Sequence, residues 1–194
     1  MQRTLYLVGF GYLAVCGVVV LRHQTRRFQP ASQSTAMTAA FDGSASQWFA
    51  AMKPFCNAVE VEIVQSRHPA PATLEGQGLS AACYALAGKI DSARAIIDRL
   101  AEADRYRAAG IVFDIAHPVA DAGDNRSAGP IMELVISYWP NHYMALYHAG
   151  MAEFALGEAD LAAKNLTDFL KYYHENDGWT ESARAALAQI AEAR

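Results

Sequence analysis

The sequence predicts an all-α protein: a single transmembrane helix followed by a helical-repeat solenoid of about three degenerate units, with covering helices at both ends. Three observations lead there. Residues 4–21 carry no charge; Gly88, Gly123 and Gly157 recur in comparable settings at spacings of 35 and 34; and the apolar residues around them fall at helical intervals.

The uncharged run TLYLVGFGYLAVCGVVVL, taken as a helix rising 1.5 Å per residue, is roughly 27 Å long and matches the hydrocarbon thickness of a bilayer. Residues 4–21 are therefore expected to contact lipid as a single-pass anchor. A cleaved secretory signal is the rival reading, because Arg3 supplies a minimal charged n-region. Against it, Val18-Val19-Val20-Leu21-Arg22 offers no small-x-small cleavage pair, and the nearest such pairs lie around Ser34 to Ala40. Lipoprotein processing at Cys16 is disfavoured by the bulky Val15 before it and by the apolar stub it would leave.

Charge divides the chain the same way. Residues 1–27 hold Arg3, Arg22, Arg26 and Arg27 and no acid, leaving 12 basic against 20 acidic residues beyond them. An acidic body lacks the basic face that phosphate neutralisation requires, so no nucleic-acid partner is expected. The arginines instead flank the anchor, where lipid phosphates lie. Counting them by the positive-inside rule favours a cytoplasmic body by a margin of one. An N-terminal signal anchor, followed by the polar, lysine-free linker over residues 28–45, favours export. The expected location is the extracytoplasmic, periplasmic side, with the cytoplasm as the alternative.

The body opens with Ser46 to Gln65, which places Trp48, Phe49, Met52, Phe55, Val59 and Ile63 at helical spacing with a break at Pro54. The connector RHPAPAT follows, so residues 46–73 read as an N-terminal cover. Beyond it, each of the three glycines follows a helical pattern, has an acid within three residues after it, and has an alanine five positions on: Ala93, Ala128 and Ala162. Apolar stripes at i, i+3, i+4 and i+7 support helices around these turns: Ala93, Ile96, Ile97 and Leu100, and again Tyr147, Gly150, Met151 and Phe154. Ala162, Leu166, Phe169, Leu170 and Tyr173 continue the pattern. Residues 177–194 place Ala183, Ala186, Leu187 and Ile190 on one face, which suits a helix closing the open end.

In these residues the chain resembles the tetratricopeptide repeat family, whose unit is a helix-turn-helix of about 34 residues, and the resemblance implies a right-handed solenoid. The resemblance covers residues 74–176 in three units: Leu74 to Arg107, Ala109 to His142, and Tyr143 to Asn176, with Ala108 as an extra residue. It implies small residues at close helix contacts: Ala81, Ala116 and Gly150 in the first helices, and Ala93, Ala128 and Ala162 in the second. The helix-ending proline occurs once, as Pro140. Pro118 departs from the pattern, so the first helix of the middle unit is expected to stop near His117, with a loop over Val119 to Asn125. Pro130 is expected near the start of the following helix, where proline is tolerated.

Candidate chemistry is sparse. His142 and His148 are six apart, about 240° around a helix, and cannot share a metal through it. HPVADAGD offers His117, Asp121 and Asp124, but without the alternating acids and terminal Glu of a calcium loop it reads as a solvated turn capping the next helix. Cys56 and Cys83 form no CxxC; they are a candidate disulfide between neighbouring helices, with two small buried hydrophobes as the other reading. GxSxG, HExxH and phosphate-cradling loops are missing. No enzyme activity, cofactor or metal is expected.

What the family resemblance implies is protein binding through a concave groove, lined here by Phe113, His117, Met144, Tyr147, Met151 and Phe154. The family's charged clamp for C-terminal carboxylates is not matched, since Gly78, Ala82, His117 and Met144 stand at those positions. The expectation is a scaffold, assembly factor or accessory subunit whose partners are other subunits of a membrane protein complex. The alternative is a tethered receptor or quality-control factor for peptides or exported proteins.

Overall fold

The computed structural model describes Phe41 and residues 43–193. The expected span over residues 4–21, its basic flank and most of the linker lie outside the described residues. Within them every regular element is helical, which makes the body all-α. Among the described residues no helix is long and apolar enough to cross a membrane.

The N-terminal cover is broken where proline demands it. Helix α1 (Ala45–Met52) gives way to a 3-10 turn at Lys53–Phe55 containing Pro54, and α2 (Val61–Arg67) follows. Ser44 starts α1 with a reciprocal cap: its hydroxyl accepts from the Gln47 N–H, and the Gln47 side chain accepts from the Ser44 N–H. Two donors at the helix start are thereby satisfied. Trp48 is fully buried, and its indole N–H donates to the His68 carbonyl at 2.9 Å. That bond lets a large apolar ring be buried without orphaning its polar edge. Cys56, just past the 3-10 turn, is joined by a disulfide to Cys83 on α3 (Leu74–Leu86), so the cover is tied covalently to the helix it packs on.

Seven helices follow from α3 onward among the described residues. They are α3, α4 (Ile90–Asp98), α5 (Glu102–Asp121), α6 (Asn125–Tyr138), α7 (Tyr143–Leu156), α8 (Ala159–Tyr172) and α9 (Gly178–Glu192). The pairs α3/α4, α5/α6 and α7/α8 turn at Gly88, Gly123 and Gly157, which alone among the described residues have positive φ, at 73°, 76° and 83°. All three turns share one hydrogen-bond pattern. The glycine N–H donates to the carbonyl three residues back, and the next N–H donates five back: Lys89 to Tyr84, Asp124 to Val119, and Glu158 to Glu153. This cap satisfies the last carbonyls of the helix and needs a left-handed residue, which glycine adopts without steric penalty.

Each pair packs internally, and α1, α3, α5, α7 and α9 also pack one on the next in that order, while α4 packs on α6. The central core draws on α3 to α6 and on Met144, Ala145 and Ala149 of α7; a second cluster joins Leu146, Leu166, Phe169, Ala183 and Ala186 from α7, α8 and α9. The small residues Ala81, Ala93, Ala116, Ala128, Gly150 and Ala162 are all buried. At Gly150 the fit is tight, because an added Cβ would lie 2.7 Å from Leu166 Cγ.

Two proline expectations are corrected. Helix α5 does not stop near His117; it runs through Pro118 to Asp121, and only residues 122–124 form the turn. Pro118 cannot donate to the Asp114 carbonyl, but both residues are exposed, so water can take the freed acceptor. Ala116 and Ala120 pack inward on the same turn, and the Gly123 cap closes it. Pro130 lies in the second turn of α6 rather than at its start, again on an exposed position. The expected seam between units also moves, since Ala108 is fully buried inside α5.

The disulfide closes a loop with a sequence separation of 27. In the chain-entropy picture this is worth about 3.5 kcal/mol, mostly through the unfolded state. Reduction of the full-length protein is expected to lower its denaturation midpoint by that equivalent, and an unchanged midpoint would contradict it. Gly150→Ala is expected to cost about 1–3 kcal/mol through overpacking. Combined with Leu166→Ala in a double-mutant cycle, the losses should be less than additive; strict additivity would rule out the contact as the cause.

Candidate functional site

Helices α5 and α7 meet with aromatic and imidazole rings between and beside them. From Trp139 the rings run through His142 at 4.7 Å between centroids, Phe113 at 4.2 Å, His117 at 4.8 Å, His148 at 4.8 Å and Tyr147 at 5.3 Å. A second path leaves His142 through Tyr143, Tyr173 and Trp179, and returns to Tyr147 at 6.2 Å. The rings thus form a closed circuit. Offset and edge-to-face pairs at these separations add to what burial alone contributes. Tyr143 and Trp179 are the exposed members, at 42% and 43%.

Two clefts open along this face. One, of about 430 Å³, is lined by Gly110, Phe113, Asp114, Trp139, His142 and Met144 among others. The second, of about 230 Å³, is lined by Asp121, Asn125, Tyr147, His148, Met151 and Trp179 among others. His142 also caps α7: its Nδ1 accepts from the Ala145 N–H at 3.2 Å, which requires that nitrogen to be unprotonated. Burial lowers its pKa, in keeping with that role.

Behind the second cleft, His117 Nε2 lies 3.4 Å and His148 Nε2 3.7 Å from the same Asp121 carboxylate oxygen. Both Nε2 atoms are buried and neither makes a hydrogen bond. Burial first, and the neighbouring His117 second, push the His148 pKa down to about 4 against the opposing pull of Asp121, so this imidazole is neutral at neutral pH.

Deeper in the body, Glu153 of α7 is 4% exposed. Asn165 Nδ2 donates to both Glu153 oxygens at 3.0 Å and to Glu133 Oε1 at 2.6 Å. Burial, then the hydrogen-bonded Glu133, raise the Glu153 pKa to about 8, with Glu158 adding to the same direction. Two carboxylates at such separation cannot both ionise cheaply, so the pair holds a proton. This knot ties α6, α7 and α8 together with a polar contact in an otherwise apolar interface.

Of the residues expected to line a groove, Phe113 and Met144 are each 7% exposed and form the floor of the larger cleft. Tyr147 and Met151 wall the smaller one, and His117 stands half-buried beside it. Phe154 packs instead into the cluster between α7, α8 and α9. Asp124 caps α6 by accepting from the Ser127 N–H, whereas Asp121 belongs to α5 and turns toward the histidines. Sequence reasoning did not find Trp139, His142, His148 or Trp179 as members of one surface. Their shared property, aromaticity, was visible, but their adjacency depends on how α5, α7 and α9 stack. Comparison with family models, curated proteins and solved structures yields no match to the chain.

Between about pH 4.5 and pH 8, folded Glu153 keeps a proton that the unfolded chain has released, so stability should fall as pH rises through that window. Glu153→Gln, which keeps an uncharged group of the same shape, should flatten the decline. The melting temperature of the parent is expected to drop relative to the variant by on the order of 5 °C from pH 5 to pH 8. Parallel curves would show that Glu153 is ionised throughout.

Proposed function

We propose that the chain is a membrane-anchored scaffold or accessory subunit of a larger membrane protein complex. In this reading the body is a right-handed solenoid of three tetratricopeptide-like units, with α1 and α2 covering one end and α9 the other. The observation that carries the reading is the threefold glycine cap at Gly88, Gly123 and Gly157, with buried small residues at matching places in each unit. A fold built by repetition of one hairpin presents a long continuous face, and such faces bind other chains. Here that face carries exposed rings and apolar-walled clefts, the composition from which interface anchors are drawn.

The anchor is residues 4–21, whose uncharged length suits a bilayer. It confines the body to the membrane surface, where raised local concentration strengthens a modest contact. The Cys56–Cys83 disulfide supports a periplasmic location for the body, because such bonds persist in oxidising compartments.

The test is affinity purification of the full-length protein from its native membrane in mild detergent, with mass spectrometry of what accompanies it. A stoichiometric set of membrane subunits is expected. A heterogeneous, low-occupancy mixture of exported proteins would overturn the subunit reading in favour of a tethered receptor. Tyr143→Ala combined with Trp179→Ala should reduce recovery of the partners by about tenfold or more while leaving the circular dichroism spectrum unchanged.

A further inference from the structure

We infer that His117, His148 and Asp121 form a binding site for a divalent transition-metal ion of the zinc class, with one coordination position open to the adjoining cleft. The three donor atoms come from two helices. His117 and Asp121 are four apart on α5 and therefore share a face, and the packing of α5 on α7 brings His148 to them. All three donor atoms lie within 4.8 Å of one another.

The geometry is awkward for hydrogen bonding and apt for a metal. The carboxylate oxygen stands 3.4 Å from one Nε2 and 3.7 Å from the other, and neither contact qualifies as a hydrogen bond. Buried polar atoms are nearly always paired, so two neighbouring imidazole nitrogens left without partners call for a cause. His148, with a side chain 10% exposed, aims its Nε2 at the same carboxylate oxygen that His117 faces. A tetrahedral ion with donors at about 2.0–2.1 Å has donor-to-donor edges of about 3.3–3.4 Å. The shortest observed separation matches such an edge; the second, at 3.7 Å, and the imidazole pair, within 4.8 Å, close on the ion by rotation of the His117 and Asp121 side chains, which are 31% and 60% exposed.

The donor set selects the ion. Two imidazoles and one carboxylate suit zinc, cobalt or nickel, whereas calcium and magnesium favour all-oxygen shells. Three protein donors leave a fourth position, as in metal sites that bind water or an exchangeable ligand. Here it would face the cleft of about 230 Å³ walled by Tyr147, Met151 and Trp179. This inference stands independently of the scaffold reading, because it rests on donor geometry alone.

The experiment is titration of full-length, chelator-stripped protein in detergent with cobalt(II), followed by visible absorption. One equivalent should produce the intense d–d bands of a four-coordinate nitrogen and oxygen site, and one equivalent of zinc should abolish them. His148→Ala and Asp121→Asn should each weaken binding by about 100-fold or more. His174→Ala, at an exposed histidine outside the cluster, should leave it unchanged. Asp121→Asn alters an exposed side chain, so it decides the matter even where His148→Ala perturbs folding. Absence of the bands in the parent protein, or equal cobalt affinity in Asp121→Asn, would overturn the site.

Discussion

Helix α7 is the member around which the body is assembled. It packs against α5, α6, α8 and α9, and it buries residues on nearly every side: Met144, Ala145, Leu146, His148, Ala149, Gly150, Ala152 and Glu153. A helix covered all round cannot turn a polar face to water. Its two polar buried side chains must therefore be satisfied inside the protein. Glu153 meets Asn165 and Glu133 and holds a proton; His148 Nε2 faces His117 and Asp121, at distances that leave it without a hydrogen bond. Both unusual polar clusters of the described residues thus follow from one packing constraint.

The same constraint explains the rings. Residues 138–148 carry Tyr138, Trp139, His142, Tyr143, Tyr147 and His148, a composition that would suit a cofactor pocket. Most of these groups instead close the α5–α7 seam and its junction with α9, while the Tyr138 hydroxyl donates outward to Asp98 at the end of α4. Scaffold and surface are one feature here, because the circuit that packs the helices also leaves Tyr143 and Trp179 at its rim.

Much of the architecture was legible in the sequence, and for a physical reason. A left-handed cap admits little besides glycine, so Gly88, Gly123 and Gly157 mark their turns without any knowledge of the fold. Close helix contacts likewise admit only small residues, which made Ala93, Ala128 and Ala162 visible. Pro118 was misread because the penalty of a proline depends on whether its freed carbonyl reaches solvent, and that is a property of helix orientation. The histidine cluster was not legible at all. His148 lies more than two dozen residues from Asp121, and no local spacing joins them; the stacking of α5 on α7 creates the neighbourhood.

The central functional claim is that the ring-lined rim beside α7 and α9 is where the protein meets its partner. The most direct measurement places a photo-crosslinking amino acid at position 179, on that rim, and at position 161, an exposed leucine of α8, in the full-length protein in its native cells. Crosslinks to one defined partner from position 179, with none from position 161, are the expected result. The reverse pattern would contradict the claim and assign binding to the α8 surface.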